Sequence, residues 1–491
     1  MLAQSRLTLE GQWLMRDGES ARRMLHGVVD QLVDAWRIRP EHGVTPVDAD
    51  ATEIRGWLDR YPLDQAHDIE DVVPDLLAAL DRWTVHTDHP GYFGLFNPTP
   101  TWAGVAGELI AAAVNPQLAA WSHAPFAVEA EQRCVDLLAA RLGLPGTAGG
   151  HLTSGGAEAN LTAVLTALTQ AFPSYATHGL RAVDAAPVFY ASTESHLAWL
   201  KIAHATGLGR EACRLVPADD RGRLDPAVLE AAVAEDRRSG RAPFLVVATA
   251  GTTGAGVIDP LPRITDVARA AGLRVHVDAA WAGAACLSDR LRPVLDGIER
   301  ADTVTVDAHK WLSVPMGAGM FLTRDRAELG STFSVSTSYM PARVDDTADP
   351  YTTTNQWSRR FAGLKLWLSL LAHGVAGYGA QIERDTELGR LLHAEVTRAG
   401  FRVINDTPLP VACATHPDAP DDAEESWRWH CDVAARINAS GAAWVSPVRF
   451  CGRPALRACV ISWRTGPSDI TRLGRAMAEA IQLTSPDRLS R

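Results

Sequence analysis

The sequence is poor in the features that would set a chain apart from ordinary globular proteins. Its seven cysteines, at 134, 213, 286, 413, 431, 451 and 459, include no Cys-x-x-Cys and no Cys/His spacing that suits zinc. An odd, scattered set of this kind reads as reduced thiols in a cytosolic chain. The sixteen histidines contain no His-Glu-x-x-His, so no structural metal is expected. No apolar run is long enough to span a membrane: Ala103 to Ala120, among the longest, is interrupted by Glu108, Asn115 and Gln117. Met1 to Glu10 lacks the basic and apolar regions of a signal peptide, which points to the cytosol. Positive charge is in deficit, 47 Lys and Arg against 58 Asp and Glu, and the net charge of -11 argues against nucleic acid or an anionic membrane as partner. The Gly254-x-Gly256 pair lacks the third glycine and the helix of a dinucleotide fingerprint, so a nicotinamide cofactor is not expected.

What is present is more specific. Thr303-Val-Thr-Val-Asp-Ala-His-Lys-Trp-Leu312 opens as a β-branched strand and stops at His309 and Lys310, and Gly317 and Gly319 then turn the chain into Met320–Thr323. A lysine at the meeting point of two core strands either lays its stem on apolar surface with its head in water, or serves as a Schiff-base lysine. Its neighbours decide between the two. Arg274-Val-His-Val-Asp278 is another strand that ends on a carboxylate. Open α/β sheets bind ligands beyond the carboxyl ends of their strands, and pyridoxal 5'-phosphate needs both a lysine and an acid that faces its ring nitrogen. Asp278 and Lys310 are of the right types in the right order.

Asp278-Ala-Ala-Trp-Ala-Gly283 followed by Asp307-Ala-His-Lys-Trp311 resembles the group II pyridoxal-phosphate-dependent amino-acid decarboxylases, which include the aromatic L-amino acid and glutamate decarboxylases. The resemblance runs from about residue 10 to residue 482 and weakens across the acidic stretch 414–426. It implies an α/β chain of fold type I, like aspartate aminotransferase: a mainly parallel, doubly wound sheet with a small α+β C-terminal domain. Strands alternating with helices from 150 to 325 agree with that core. The expected division is an N-terminal helical dimerisation segment (1–85), a large cofactor domain (86–365) and a small domain (366–491). Glu19 to Arg37 reads as an amphipathic helix with Ala21, Met24, Leu25, Val28, Leu32 and Trp36 on one face, ended by Pro40. Such a segment has no core of its own, and the resemblance implies a homodimer with active sites at the interface.

Further site residues follow in chain order. His89 to Pro100 is a loop of Gly, Pro and aromatics that either packs on itself or, by the resemblance, lines the substrate pocket with Phe93, Phe96, Pro98 and Thr99. Trp121 to Glu129, with His123, looks like a second pocket segment. The motif His151-Leu-Thr-Ser-Gly-Gly-Ala-Glu-Ala-Asn160 is expected to start a long helix running to about Ala171, whose N-terminus suits a phosphate. It resembles the family's phosphate loop and assigns Gly155, Gly156 and Ala157 to the cofactor, with Ala157 where relatives often carry serine. His196, after the strand Pro187–Ser192, is either a satisfied core histidine or the ring-stacking histidine that the resemblance implies. Thr249 ends the apolar strand Phe244–Ala250, and with Ala280 and His309 it completes the implied cofactor set.

Ser331 to Gln356 has little periodicity and is either a surface insert or a catalytic lid. Its Tyr339 stands where the family keeps the tyrosine that returns a proton to the intermediate. Ser358 to Trp367 resembles the start of the helix leading to the small domain, with Arg359 and Arg360 either surface charges or lid supports. Arg457 matches the arginine aimed at the substrate carboxylate. Decarboxylation of an L-amino acid, or of a substrate derived from one, to an amine and CO2 is the leading expectation. An aminotransferase, a decarboxylating aldehyde synthase and a non-catalytic binding protein of the same fold are the alternatives. The aromatic loop favours a flat substrate, whereas Gln117 and Ala119 stand where aromatic-specific relatives carry apolar bulk, and His123 adds polarity. Aromatic, acidic, small and carrier-tethered aminoacyl substrates are all compatible with this.

Overall fold

Short β-branched runs bounded by glycine and polar residues form the strands of the larger sheet in the computed structural model, which describes residues 18–45 and 49–484. They are β1 (Gly149–Thr153), β2 (Pro187–Ser192), β3 (Cys213–Val216), β4 (Ala242–Thr249), β5 (Arg274–Asp278), β6 (Thr303–Asp307) and β7 (Gly319–Thr323), in the order β1-β7-β6-β5-β4-β2-β3. The pairs β5/β6, β4/β5, β2/β4 and β2/β3 are parallel, while β7 runs antiparallel to both neighbours. Length explains the exception. Only residues 308–318 join β6 to β7, fewer than a parallel crossover needs, so the chain must turn back on itself. The carboxyl ends of β1, β2, β4, β5 and β6 therefore share one edge, and the β6–β7 link carrying Lys310 lies along it.

Strands covered on both faces are buried along their length, as Phe244 to Val247 and all of β6 illustrate. The helix Gly156–Ala171 crosses β7, β6, β5 and β4, and its inward Ala159, Ala163 and Ala167 are small enough for close approach to the sheet. The sequence places the start of this helix at His151. In the structure His151 to Thr153 instead finish β1, because His151, Leu152 and Thr153 pair with Phe321, Met320 and Gly319.

A second, antiparallel sheet of β8 (Arg402–Val403), β9 (Val411–Thr415), β10 (Ser446–Phe450) and β11 (Arg453–Cys459) has the order β10-β11-β9-β8. The helices Ala423–Ala439 and Pro467–Thr484 cover it. The helix Leu364–Arg398 joins the two cores: Leu366, Tyr378 and Ile382 pack with the larger sheet, and Leu388, Leu392 and Val396 with the smaller. It is broken at Gly374, whose φ of 64° only glycine adopts at little cost. It also starts at Leu364, several residues beyond the Ser358 expected from the sequence.

The expected N-terminal helix spans Gly18–Ile38 and buries none of its residues. Leu25, Val29, Leu32 and Val33 are exposed, as are Ile69, Leu76 and Leu80 on the helix Ile69–Trp83. Met1 to Glu10, read above for targeting signals, lies outside the described residues. No helix among the described residues is long and apolar enough to cross a membrane.

The loop 89–100 is wedged between the two sheets. Phe93 N donates to Trp444 O at 3.0 Å, Cys459 N donates to Phe93 O at 2.8 Å, and the Tyr92 and Trp444 rings stack 5.3 Å apart. A Cβ on Gly94 would lie 1.8 Å from the Trp444 ring. Gly94→Ala is therefore expected to destabilise the protein by about 2–3 kcal/mol, the scale of overpacking in a filled core. Thermal unfolding checks this, and an unchanged midpoint would show that Trp444 has room to move.

Candidate active site

Two carboxylates and a lysine meet at the common strand edge. Asp278 ends β5 and is buried; its Oδ1 accepts from Ala280 N at 3.1 Å and its Oδ2 from Asn160 Nδ2 at 2.9 Å. Lys310 sits in the turn after β6, where Lys310 N donates to Asp307 O at 3.1 Å and Ser313 N to Lys310 O at 2.9 Å. Ser313 closes that turn with φ of 53°, a left-handed conformation uncommon outside glycine. Lys310 Nζ lies 3.1 Å from Asp307 Oδ2, so the ammonium is paired with a carboxylate that is itself buried. The other Asp307 oxygen, Oδ1, is buried with no partner. His309 Nδ1 accepts from Ala318 N at 3.1 Å, which directs the Nε2 side toward Asp307 Oδ2, 3.8 Å away. Burial lowers the His309 pKa and favours the neutral ring.

The helix Gly156–Ala171 aims its N-terminus at this group. A Cβ on Gly156 would come within 2.8 Å of Asp307 Oδ2, and one on Gly155 within 3.3 Å of the His309 ring, so the backbone here approaches as only glycine allows. The first N–H groups of a helix have no intrahelical acceptor and carry partial positive charge, which makes the Gly155–Ala157 turn an anion cradle. Ala157 has no hydroxyl to add, so donation is through backbone. Glu158 stiffens the turn: its Oε2 accepts from Ser154 N at 2.7 Å, and its Oε1 from Gln356 Nε2 at 2.6 Å. Gln356 ends the irregular stretch after the helix Ala327–Phe333, which is thereby tied to the cradle.

Thr249 closes the edge at β4. Its hydroxyl lies 3.0 Å from Ser195 Oγ, and its N–H donates to Asp259 Oδ2 at 2.7 Å. Burial pushes the Asp259 carboxyl up to about 6. His196 follows β2 with Nδ1 accepting from Ala198 N at 3.2 Å. Its ring keeps solvent-facing surface but is recessed enough for desolvation to lower its pKa, and the charges of Asp278 and Lys310 both act on it. Lys310, Asp278, His196, Thr249, Ala280, His309 and the Gly155–Ala157 turn thus all belong to one crevice.

The substrate-side expectations fare differently. Phe96 is buried, stacks on Trp281 with centroids 4.4 Å apart, and lies 5.3 Å from the Arg457 guanidinium. Phe93 has no exposed surface and packs in the core of the small sheet, so it supports the loop instead of forming a pocket wall. Thr99 is likewise buried, with its hydroxyl donating to Asp88 O at 3.1 Å and lying 3.2 Å from Ser462 Oγ. Arg457 is not a free carboxylate receptor. It is buried, and its terminal nitrogens donate to Thr253 O at 2.6 Å and to Gly94 O, fastening the loop 89–100 to the turn after β4. Leu95 is the exposed large apolar side chain of that loop.

Gln117 is exposed, with Nε2 3.1 Å from Ser358 Oγ, and His123 is exposed on the turn Trp121–His123. Tyr339 is 73% exposed and packs only loosely, its ring 5.9 Å from Trp357. Arg359 and Arg360 separate cleanly. Arg359 is buried against Glu131, which also accepts from Gly363 N at 2.8 Å, and desolvation lowers the guanidinium pKa to about 10. Arg360 reaches Glu108 at 2.6 Å on the surface.

Sequence reasoning gave no role to Asn160, Asp307, Glu158 or Ser195. A signal existed for two of them. Asn160 interrupts the alanine-rich inner face of its helix, and Asp307 stands three residues before Lys310 at the end of an apolar strand.

The Gly155–Ala157 cradle, the buried Asp278 carboxylate, Lys310 and His196, brought to the common strand edge, are the kinds of group that a pyridoxal-phosphate enzyme of fold type I requires. The chain belongs to the pyridoxal-dependent decarboxylase family, whose conserved-domain model matches residues 54–415. Pyridoxal phosphate is its cofactor, and its class is that of the carboxy-lyases. Tyrosine decarboxylase 2 of Narcissus pseudonarcissus is 27% identical over 457 residues, covering 90% of each chain. Phenylacetaldehyde synthase of Arabidopsis thaliana is 26% identical over 462 residues, covering 90% of this chain and 92% of the relative. Among solved structures, mouse CSAD superposes with a TM-score of 0.89 at 28% identity, covering 96% of this chain and all of the other. Oryza sativa TDC with PLP and tryptamine also gives 0.89, at 26% identity, covering 96% and 99%.

Reduction of the holoenzyme with borohydride is expected to fix the cofactor covalently to Lys310, since a lysine held in a recessed crevice condenses readily with an aldehyde. Peptide mapping reads the site, and label on any other lysine would refute the assignment.

Proposed function

We propose that this chain decarboxylates an L-amino acid, free or carrier-tethered, to the corresponding amine and CO2, acting as a cytosolic homodimer. The observation that carries the reading is the convergence of Lys310, Asp278 and the Gly155–Ala157 cradle on one crevice, with a tyrosine-bearing segment tied to that cradle through Gln356 and Glu158. Bound pyridoxal phosphate supplies an aromatic ring that takes up the electron pair left on the substrate when CO2 departs.

The chain's own residues do the rest. The cradle would hold the phosphate through backbone N–H groups, Lys310 would be the residue that anchors the cofactor, and Asp278 would accept a hydrogen bond from the ring nitrogen. His196, which keeps exposed surface beside Asp278 and Lys310, would be the aromatic residue against the ring. Closure of the segment carrying Tyr339 would bring its phenol to the substrate Cα as proton donor and limit entry of water and oxygen. Phe96, Gln117 and His123 stay our candidates for the substrate side, with Arg457 holding the loop that presents Phe96.

The exposed apolar faces of helices Gly18–Ile38 and Ile69–Trp83 support a second copy as their cover, since contiguous apolar surface on a soluble chain marks an interface. We keep the division at 1–85, 86–365 and 366–491 on the same basis. The helix Leu364–Arg398 spans that second boundary, packing first on the larger and then on the smaller sheet.

Tyr339→Phe separates amine formation from aldehyde formation, because it removes the proton and leaves the ring. Amine output is expected to fall roughly 100-fold or more, the usual contribution of a positioned general acid. CO2 release should persist at a reduced rate, with oxygen uptake and aldehyde appearing. Products of wild type and variant are compared under air and under nitrogen across a panel of free and carrier-bound amino acids. Amine made by the variant at the wild-type rate would remove Tyr339 from the reaction.

A further inference from the structure

Behind Asp278 lies a line of buried polar groups that the chemistry above does not use. Asn160 is 3% exposed and His276 has no exposed surface. His276 Nε2 lies 3.1 Å from Asn160 Oδ1, and His276 Nδ1 lies 2.8 Å from Thr303 Oγ1. Thr305 Oγ1 stands 3.4 Å from the same Nε2, and the Trp199 ring packs edge-on 5.5 Å from the imidazole. Donors and acceptors along this line can be assigned without ambiguity. A carboxylate only accepts, so Asn160 must turn its NH2 to Asp278 and its carbonyl to His276. The imidazole must then donate from Nε2, which leaves Nδ1 bare to accept from the Thr303 hydroxyl. Burial holds the His276 pKa at about 4, so the ring is neutral at physiological pH and Asp278 is the only charge on the line.

We propose that Asn160 and His276 are positioning residues for the reaction, a relay anchored on Thr303 that fixes the Asp278 carboxylate and leaves its remaining lone pairs for the cofactor's ring nitrogen. Asp278 ends β5 at the common strand edge. In space its Oδ2 is bound to the helix that carries the phosphate cradle, since Asn160 lies four residues, about one turn, beyond Gly156. One short helix therefore sets the distance between the two ends of the cofactor, with the cradle at its tip and the Asn160 amide one turn further in. Thr303 makes β6, the strand that leads to Lys310, the far anchor of the same line. The inference rests on the role given to Asp278 above.

The test uses holoenzyme reconstituted with pyridoxal phosphate carrying 15N in its ring, so that the nitrogen chemical shift reports ring protonation independently of turnover. Asn160→Leu keeps the heavy-atom count and the branching at Cγ and removes both hydrogen bonds. Its nitrogen shift is expected to move toward the unprotonated value, and kcat to fall roughly 10- to 100-fold, the equivalent of one hydrogen bond to a charged group. KM should change by no more than about twofold, as expected when ground-state binding is untouched. His276→Phe should give a smaller displacement of the shift and Thr303→Val the smallest, because each leaves the Asn160 amide in place but less firmly held. A wild-type shift and kcat in Asn160→Leu, whatever its melting temperature, would assign Asn160 to packing and overturn the relay. Asp278→Asn separates the two levels of the argument. A shift that moves in Asp278→Asn but not in Asn160→Leu overturns the relay alone, and one that moves in neither removes Asp278 as well. If Asn160→Leu does not fold, unmoved shifts in both His276→Phe and Thr303→Val overturn the proposal.

Discussion

Parallel alignment of β2, β4, β5 and β6 is the constraint on which the rest depends. Parallel strands must be joined by crossovers that lie on the faces of the sheet, so every carboxyl end opens on one edge and every connection there is free to carry a functional group. His196, Thr249, Asp278 and Lys310 come from four separate connections or strand ends, yet they share a crevice because the strands end together. The antiparallel β7 contributes by the opposite geometry: its short link to β6 leaves Lys310 in a tight turn at the edge, with no long loop in which to wander.

Charges at that edge are handled by pairing. The Lys310 ammonium rests on Asp307, the Asp278 carboxylate on an amide and a backbone N–H, and Glu131 on Arg359. Each arrangement meets the rule that a buried ion is tolerated only with partners, and each would be strongly destabilised by loss of one member. Asp307 Oδ1 and the Nε and Nη1 of Arg359 are buried without partners, and Asp307 lies where the helix N-terminus supplies positive potential.

The parts of this design that were legible in the sequence are those where a polar residue ends an apolar strand. Asp278 after Val275-His-Val277 and Lys310 after Val304-Thr-Val306 announce themselves by contrast with their surroundings. The parts that were not legible depend on which way a side chain faces. Phe93, Thr99 and Arg457 were read as touching substrate because their types and positions resemble a pocket. In the fold each turns inward: Phe93 and Thr99 sit on a loop squeezed between two sheets, and Arg457, on β11, donates to a backbone carbonyl of that loop. His151 was read as helical because its motif runs straight into a helix, and only the pairing with Phe321 assigns it to a strand. The length and period of the helix Gly18–Ile38 were plain from its apolar spacing, whereas what covers its face cannot be written in the pattern of one chain.

The break at Gly374 changes how the molecule holds together. A continuous helix between two cores would transmit bending as a stiff lever, whereas a single left-handed residue lets its two cylinders take different directions, the second resting on the larger sheet through Tyr378 and Ile382 and on the smaller through Leu388 and Leu392. The rod is nevertheless one covalent piece with residues rooted at both ends. Loosening the small sheet frees Leu388 and Leu392 and strips packing from the stretch that holds Tyr378 and Ile382. The two cores thus share one packed element, and loss of contacts on either sheet is felt along it.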